Sequence, residues 1–200
     1  MPDSPAETAV DGRRLRSERS RTAIIEAMVS LQNDGILVPT AQQVSERSGV
    51  NIRSLFRHFA DMETLFEIAD AHVRASYQAP FAGGNREGSL EERIERAVTQ
   101  HSRAFEKLRN MMLSARVLHW RYEAIRKNYA RGQALLRKDL EDWLPELRDL
   151  PNEAREVVDA IASFDLWHRL REHQGQGQKA TVRIVAGLIA KQVRSHSRST

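Results

Sequence analysis

Apolar residues recur at helical spacing along most of the chain, and no stretch alternates convincingly as a strand. From about residue 17 to 33, Ile24, Ile25, Ala27, Met28 and Leu31 share one helical face. Gly35 stops that helix, and Pro39 enforces an extended approach to the next. Thr40 has the chemistry of an N-cap, with Gln43 three residues on as its capping-box partner. Ala41 and Val44 face inward on a helix of about two turns. Ser48, Gly49 and Val50 form a tight turn in which Gly49 permits positive φ. Asn51 can cap a third helix that runs to His58. Asp61 caps a fourth, METLFEIADAHVRASYQ.

Pro80, AGGNREG and Ser89 then break the chain. Longer patterns follow: LEERIERAVTQHSRAFEKL, a short apolar MMLSARVLHW, and YEAIRKNYARGQALLRKDLEDWL ending at Pro145. PNEAREVVDAIASFDLWHRLREH opens with acids and closes with cations, which complements a helix dipole. GQGQ separates it from a last helix, KATVRIVAGLIAKQVRS. The expected fold is all-α, with about nine helices in two unequal domains. A short helix, a glycine turn and another short helix behind a longer first one read as helix-turn-helix. The expected divisions are a disordered, basic-ended arm over 1–16, a three-helix DNA-binding domain over 17–65, and a larger helical domain over 66–200.

Composition narrows the chemistry. Cysteine is absent, which excludes disulfides and thiolate metal sites. There is no apolar run of the roughly 20 residues that span a bilayer, and the N-terminus lacks the apolar segment of a signal peptide. The expectation is a soluble, cytoplasmic chain. The formal charge is only +4, so position rather than net charge must identify a partner. Most cations are arginine, which suits phosphates and guanine edges. Arg13, Arg14, Arg16, Arg19 and Arg21 cluster at the end of the arm, opposed only by Glu18. Such a cluster is either a solvated tail or an arm that reaches DNA phosphates or a minor groove. No metal-spaced His and carboxylate pair, phosphate loop or nucleophile elbow is present, so no catalytic residue, metal or cofactor is expected.

The run RTAIIEAMVSLQNDGILVPTAQQVSERSGVNIRSLFRHFADMETLF resembles the DNA-binding domain of the TetR family of bacterial transcriptional regulators. The matching features are the first helix, Gly35, Thr40, VSERSGV, LFRHF, and the acid plus ETL that opens the next helix. The C-terminal half resembles the family in size, helical content and a Trp-containing penultimate helix. The resemblance implies a homodimer on a palindromic operator. The helix at 51–58 would lie in the major groove, the two C-terminal helices would pair across the two-fold, and a small-molecule effector would bind in the larger domain. Repression is the expected mode; activation, or ligand-independent DNA binding on the same fold, is the alternative. Phe56 stands where the family often has a phosphate-binding Tyr, and Met62 where it often has Lys.

Within that frame Arg53 is the first candidate for reading a base. Asn51 and Ser54 can touch bases or phosphates, and Ile52 can meet a thymine methyl or pack. Arg57 and His58 suit the DNA backbone. Phe56 packs without donating, and Thr40 can offer hydroxyl and amides to a phosphate. For the effector, His101, Phe105, Trp120 and Phe164 are the candidates, although bulky residues at helical spacing also fill cores. For dimerisation the candidate stripes are Val158, Ala162, Leu166 and Leu170, and Val182, Val185, Ile189 and Val193; the competing reading is that both stripes pack inward.

Overall fold

The computed structural model describes residues 5–197, with side chains over 12–196. Nine α-helices and no strand occur among the described residues: α1 (Pro5–Asn33), α2 (Ala41–Ser48), α3 (Ile52–His58), α4 (Met62–Gln78), α5 (Leu90–Leu118), α6 (Glu123–Trp143), α7 (Asn152–Ala162), α8 (Phe164–His168) and α9 (Gln178–Ser197). No helix among them is long and apolar enough to cross a membrane.

Three elements differ from the reading of the sequence. The segment expected as a disordered arm is helical from Pro5, leaving only residues 1–4 outside the described part. Low apolar content argued for disorder, but Leu, Arg and Glu are good helix formers. The Arg14 Nε to Glu18 Oε1 pair at 3.2 Å adds i,i+4 support. Second, α5 runs unbroken through two stretches that read as separate helices. Third, the single helix expected over 151–173 breaks at Ser163. That residue is extended, with φ −69° and ψ 157°, and its hydroxyl accepts from Leu166 N to cap α8. Beyond α8 the chain loosens into a π-helical turn at Arg169–His173.

The chain forms two compact units. The first comprises Met1–Ala75 and Asn110–Tyr129, so it is larger than the 17–65 segment and its boundary is not at 65. Its core joins Ile24, Met28, Val44, Leu55, Phe59 and Leu65 to Phe66 and Ala69 of α4 and to Leu118 and Ile125. Hydrogen bonds reinforce the association. Gln32 Nε2 donates to Ser114 Oγ at 2.6 Å, Ser114 Oγ donates to the Leu37 carbonyl at 2.6 Å, and Asn110 Nδ2 donates to the Asn33 carbonyl at 2.7 Å.

The second unit comprises Ser76–Arg109 and Ala130–Thr200. Its core runs from Ile94 and Ala97 through Leu140, Trp143 and Val158 to Val185, Ile189 and Val193. Phe81, His101, Phe105, Phe164 and Trp167 form a continuous aromatic run beside it, with ring centroids 5.4–6.0 Å apart. Gly84, at φ +96°, lies so close to Trp143 that an added Cβ would meet the indole at 2.5 Å.

Candidate nucleic-acid interface

The first unit holds α3 by its inner face. Leu55 is fully buried and Phe59 nearly so, both against Val44 and the α1 residues. Gly49 closes α2 in the left-handed region at φ 69°. Ser45 Oγ donates to the Val50 carbonyl at 2.7 Å, and Val50 N donates to Ser48 Oγ at 3.2 Å, which ties the turn. Asn51 is the N-cap of α3, accepting from Ser54 N at 2.8 Å. Its Oδ1 is therefore committed to the helix, and its amide NH₂ remains as the outward donor.

Thr40 caps α2 in a complete capping box. Gln43 N donates to Thr40 Oγ1 at 3.2 Å, and Thr40 N donates to Gln43 Oε1 at 2.9 Å. Thr40's own amide is thus used internally, so an anion at this helix end would meet the first-turn amides of Ala41 and Gln42.

The outer face of α3 collects most of the DNA candidates. Asn51, Arg53, Phe56 and Arg57 are exposed, while Ile52, Ser54 and His58 are half-buried. Arg53 and Arg57 make no hydrogen bond or salt bridge among the described residues, which leaves both guanidinium groups available to a partner. Phe56 is 44% exposed, so its ring lies at the surface rather than in the core. His58 is half-buried, and its Nε2 is buried without a partner. Burial, then the nearby Arg57 and Arg21, hold the imidazole pKa below its ordinary value.

Not every cation here is free. Arg47 of α2 is consumed within the unit, donating to Ser30 Oγ at 2.6 Å and Asp34 Oδ2 at 2.7 Å. On α1, Arg13, Arg14, Arg16, Arg19 and Arg21 are all exposed. Arg16 Nε donates to the Gly12 carbonyl at 3.1 Å. Arg21 lies over the Phe59 ring at 5.4 Å, so the basic stretch of α1 meets the domain beside the end of the recognition-helix candidate.

In the second unit, His101 and Phe105 line a cavity of about 10 Å³, together with Ser102, Ser163, Trp167 and Thr181. Phe164 is buried and packs on Phe105 and Trp167 rather than lining it. Trp120 does not join them. It lies in the first unit, 84% exposed, next to His119, whose ring stacks on Tyr129 at 4.9 Å. The turn after α5 carries it outward, so apolar character alone misplaced it. His101 Nε2 is 2.8 Å from Asp139 Oδ2, and Arg86 Nη2 donates to Asp139 Oδ1 at 2.9 Å. Neither Asp139 nor Thr181 stood out in the sequence, because each sits in an ordinary amphipathic pattern, and Arg86 lies in the loop before α5.

The expected dimer stripes are largely internal. Val158, Leu170, Val185, Ile189 and Val193 are buried in the protomer's own core, and Ala162, Leu166 and Val182 are half-buried against it. The exposed apolar residues on the same helices are Val157 at 44% and Leu188 at 41%, flanked by half-buried Ile161 and Ile184. A Cβ on Gly187 would meet nothing within 4 Å, so this face is open.

No family model and no curated protein matches the chain. Solved structures do. A transcriptional regulator from Rhodococcus sp. Rha1 superposes with a TM-score of 0.63 at 15% identity, over 90% of this chain and 96% of that one. A Rhodococcus protein assigned to the TetR family gives 0.59 at 19% identity, over 88% and 99%. A protein from Pseudomonas aeruginosa PAO1 assigned as a transcriptional regulator gives 0.59 at 16% identity, over 93% and 94%. With its capped helix-turn-helix and its second, all-helical unit, the chain has the fold of the TetR-type transcriptional regulators.

Proposed function

We propose that this chain is a transcriptional repressor that binds a palindromic operator as a homodimer and changes its DNA affinity when a small molecule binds. The observation that carries the reading is the outer face of α3. There Arg53 and Arg57 are exposed and uncommitted beside Asn51 and Ser54, on a helix pinned by Leu55 and Phe59. Side chains near the start of such a helix reach base edges, and later cations meet phosphates. Phe56 supplies no phosphate hydrogen bond. The backbone grip falls instead to Arg57, to the amides that open α2, and to the α1 arginines as a helical arm.

The second copy would cover Val157, Ile161, Ile184 and Leu188, with Gly187 allowing close approach. Two-fold pairing of these faces forms a four-helix contact. The effector would enter the second unit at the cavity bordered by His101 and Phe105. Footprinting on the DNA flanking the chain's own gene, over a salt series, tests the reading. Protection of a palindrome, with affinity falling steeply as salt rises, is the expected result. Absence of binding at low salt would sink it.

A further inference from the structure

We infer that the cavity in the second unit takes an uncharged, largely apolar molecule that presents one hydroxyl or carbonyl group to Thr181. This rests on the effector reading above and gives that effector a chemical class. The Thr181 side chain is fully buried, lines the cavity, and its hydroxyl has no partner among the described protein atoms. A hydroxyl so placed costs folding stability unless something in the cavity bonds it.

The other polar groups on the wall are already engaged. Ser102 Oγ accepts from Trp167 Nε1 at 2.9 Å, and Ser163 Oγ donates to the Ala160 carbonyl at 2.7 Å. His101 is held through Nε2 by Asp139, whose other oxygen is neutralised by Arg86. No Lys, Arg, Asp or Glu borders the cavity. An ionic ligand would lose its hydration there with no uncommitted counter-charge on the wall, His101 being already paired with Asp139, whereas a neutral one would gain apolar contact and one hydrogen bond. The cavity's roughly 10 Å³ is room for one water, so a larger molecule must part the walls. The break at Ser163 and the π-helical turn that follows α8 give the Trp167 wall the means to shift.

Phenol, benzoate and toluene, each titrated against the full-length protein while its melting temperature is followed, test the proposal. Phenol is expected to raise the midpoint with concentration and benzoate to leave it unchanged. Thr181→Val should weaken phenol binding by about two- to tenfold. It should leave toluene binding as it was, and Thr181→Ser should restore phenol. Benzoate binding as well as phenol would overturn the chemical class while leaving the effector reading intact. Phenol binding unaltered by Thr181→Val would overturn the role of Thr181. No response to any of the three at millimolar concentration would overturn the cavity as a ligand site, while the effector reading would then be tested separately by release of the protected DNA.

Discussion

Arg53→Ala separates recognition from folding. The guanidinium is exposed and has no partner among the described residues, so its loss should leave folding stability within about 0.5 kcal/mol. Its expected partner is a guanine edge, where a bidentate arginine is worth about 1–3 kcal/mol of discrimination. The proposed two-fold dimer would present that contact twice, so operator affinity should fall by about 2–6 kcal/mol, or roughly 30-fold to 2 × 10⁴-fold. Fluorescence anisotropy on the protected palindrome and on a scrambled duplex, at two salt concentrations, measures both parts. The expected result is a large loss on the palindrome, a small one on the scrambled duplex, and an unchanged melting temperature. Equal losses on both duplexes, with a shallower salt dependence, would show that Arg53 contacts phosphate and refute the base-reading argument.

Ser114→Ala should cost about 2–4 kcal/mol in urea unfolding, because one hydroxyl serves both Gln32 and the Leu37 carbonyl inside the first unit. Gln32→Leu in the same chain should recover part of that loss by removing the stranded donor. For His58 the sign follows from its lowered pKa. Stability is fully present above the ordinary value of 6.5, where the imidazole is neutral in both states, and is lost as pH falls below it. Unfolding followed over that range should show a decline that His58→Gln flattens. Leu188→Asp should convert the proposed dimer to monomers in light scattering without loss of helical circular dichroism, since Leu188 lies on the open face rather than in the core.

The helix-turn-helix half was legible because local chemistry dictates it. A capping box at Thr40, a left-handed glycine at 49 and an Asn51 cap each leave a mark at fixed spacing, and the structure realises all three. The second unit was legible only as helices. An amphipathic stripe says that a face is buried, not whether the covering surface belongs to the same chain. Val158, Val185, Ile189 and Val193 therefore read as interface in the sequence, whereas the structure buries them in the protomer's own core. The outward apolar pairs, Val157 with Ile161 and Ile184 with Leu188, recur at i,i+4 beside the stronger core stripes, so their separate face is hidden in one broad apolar pattern. Trp120 shows the same limit from the other side: bulk and apolarity predicted enclosure, yet the ring stands in solvent. The cavity depends on distant segments meeting, with Ser102 and Thr181 brought together from α5 and α9, and no local spacing encodes that.

The helical continuation of α1 sets the thermodynamics of any arm contact. Arg13 to Arg21 lie on a helix already formed in the free protein, spanning about 12 Å along its axis. Docking such a rod on DNA orders side chains but folds no backbone. Calorimetry should therefore give a heat-capacity change in proportion to the apolar surface covered, without the large negative excess of coupled folding. Replacing Arg14 and Arg16 by Gln should make the salt dependence of binding shallower while leaving that heat-capacity change nearly untouched.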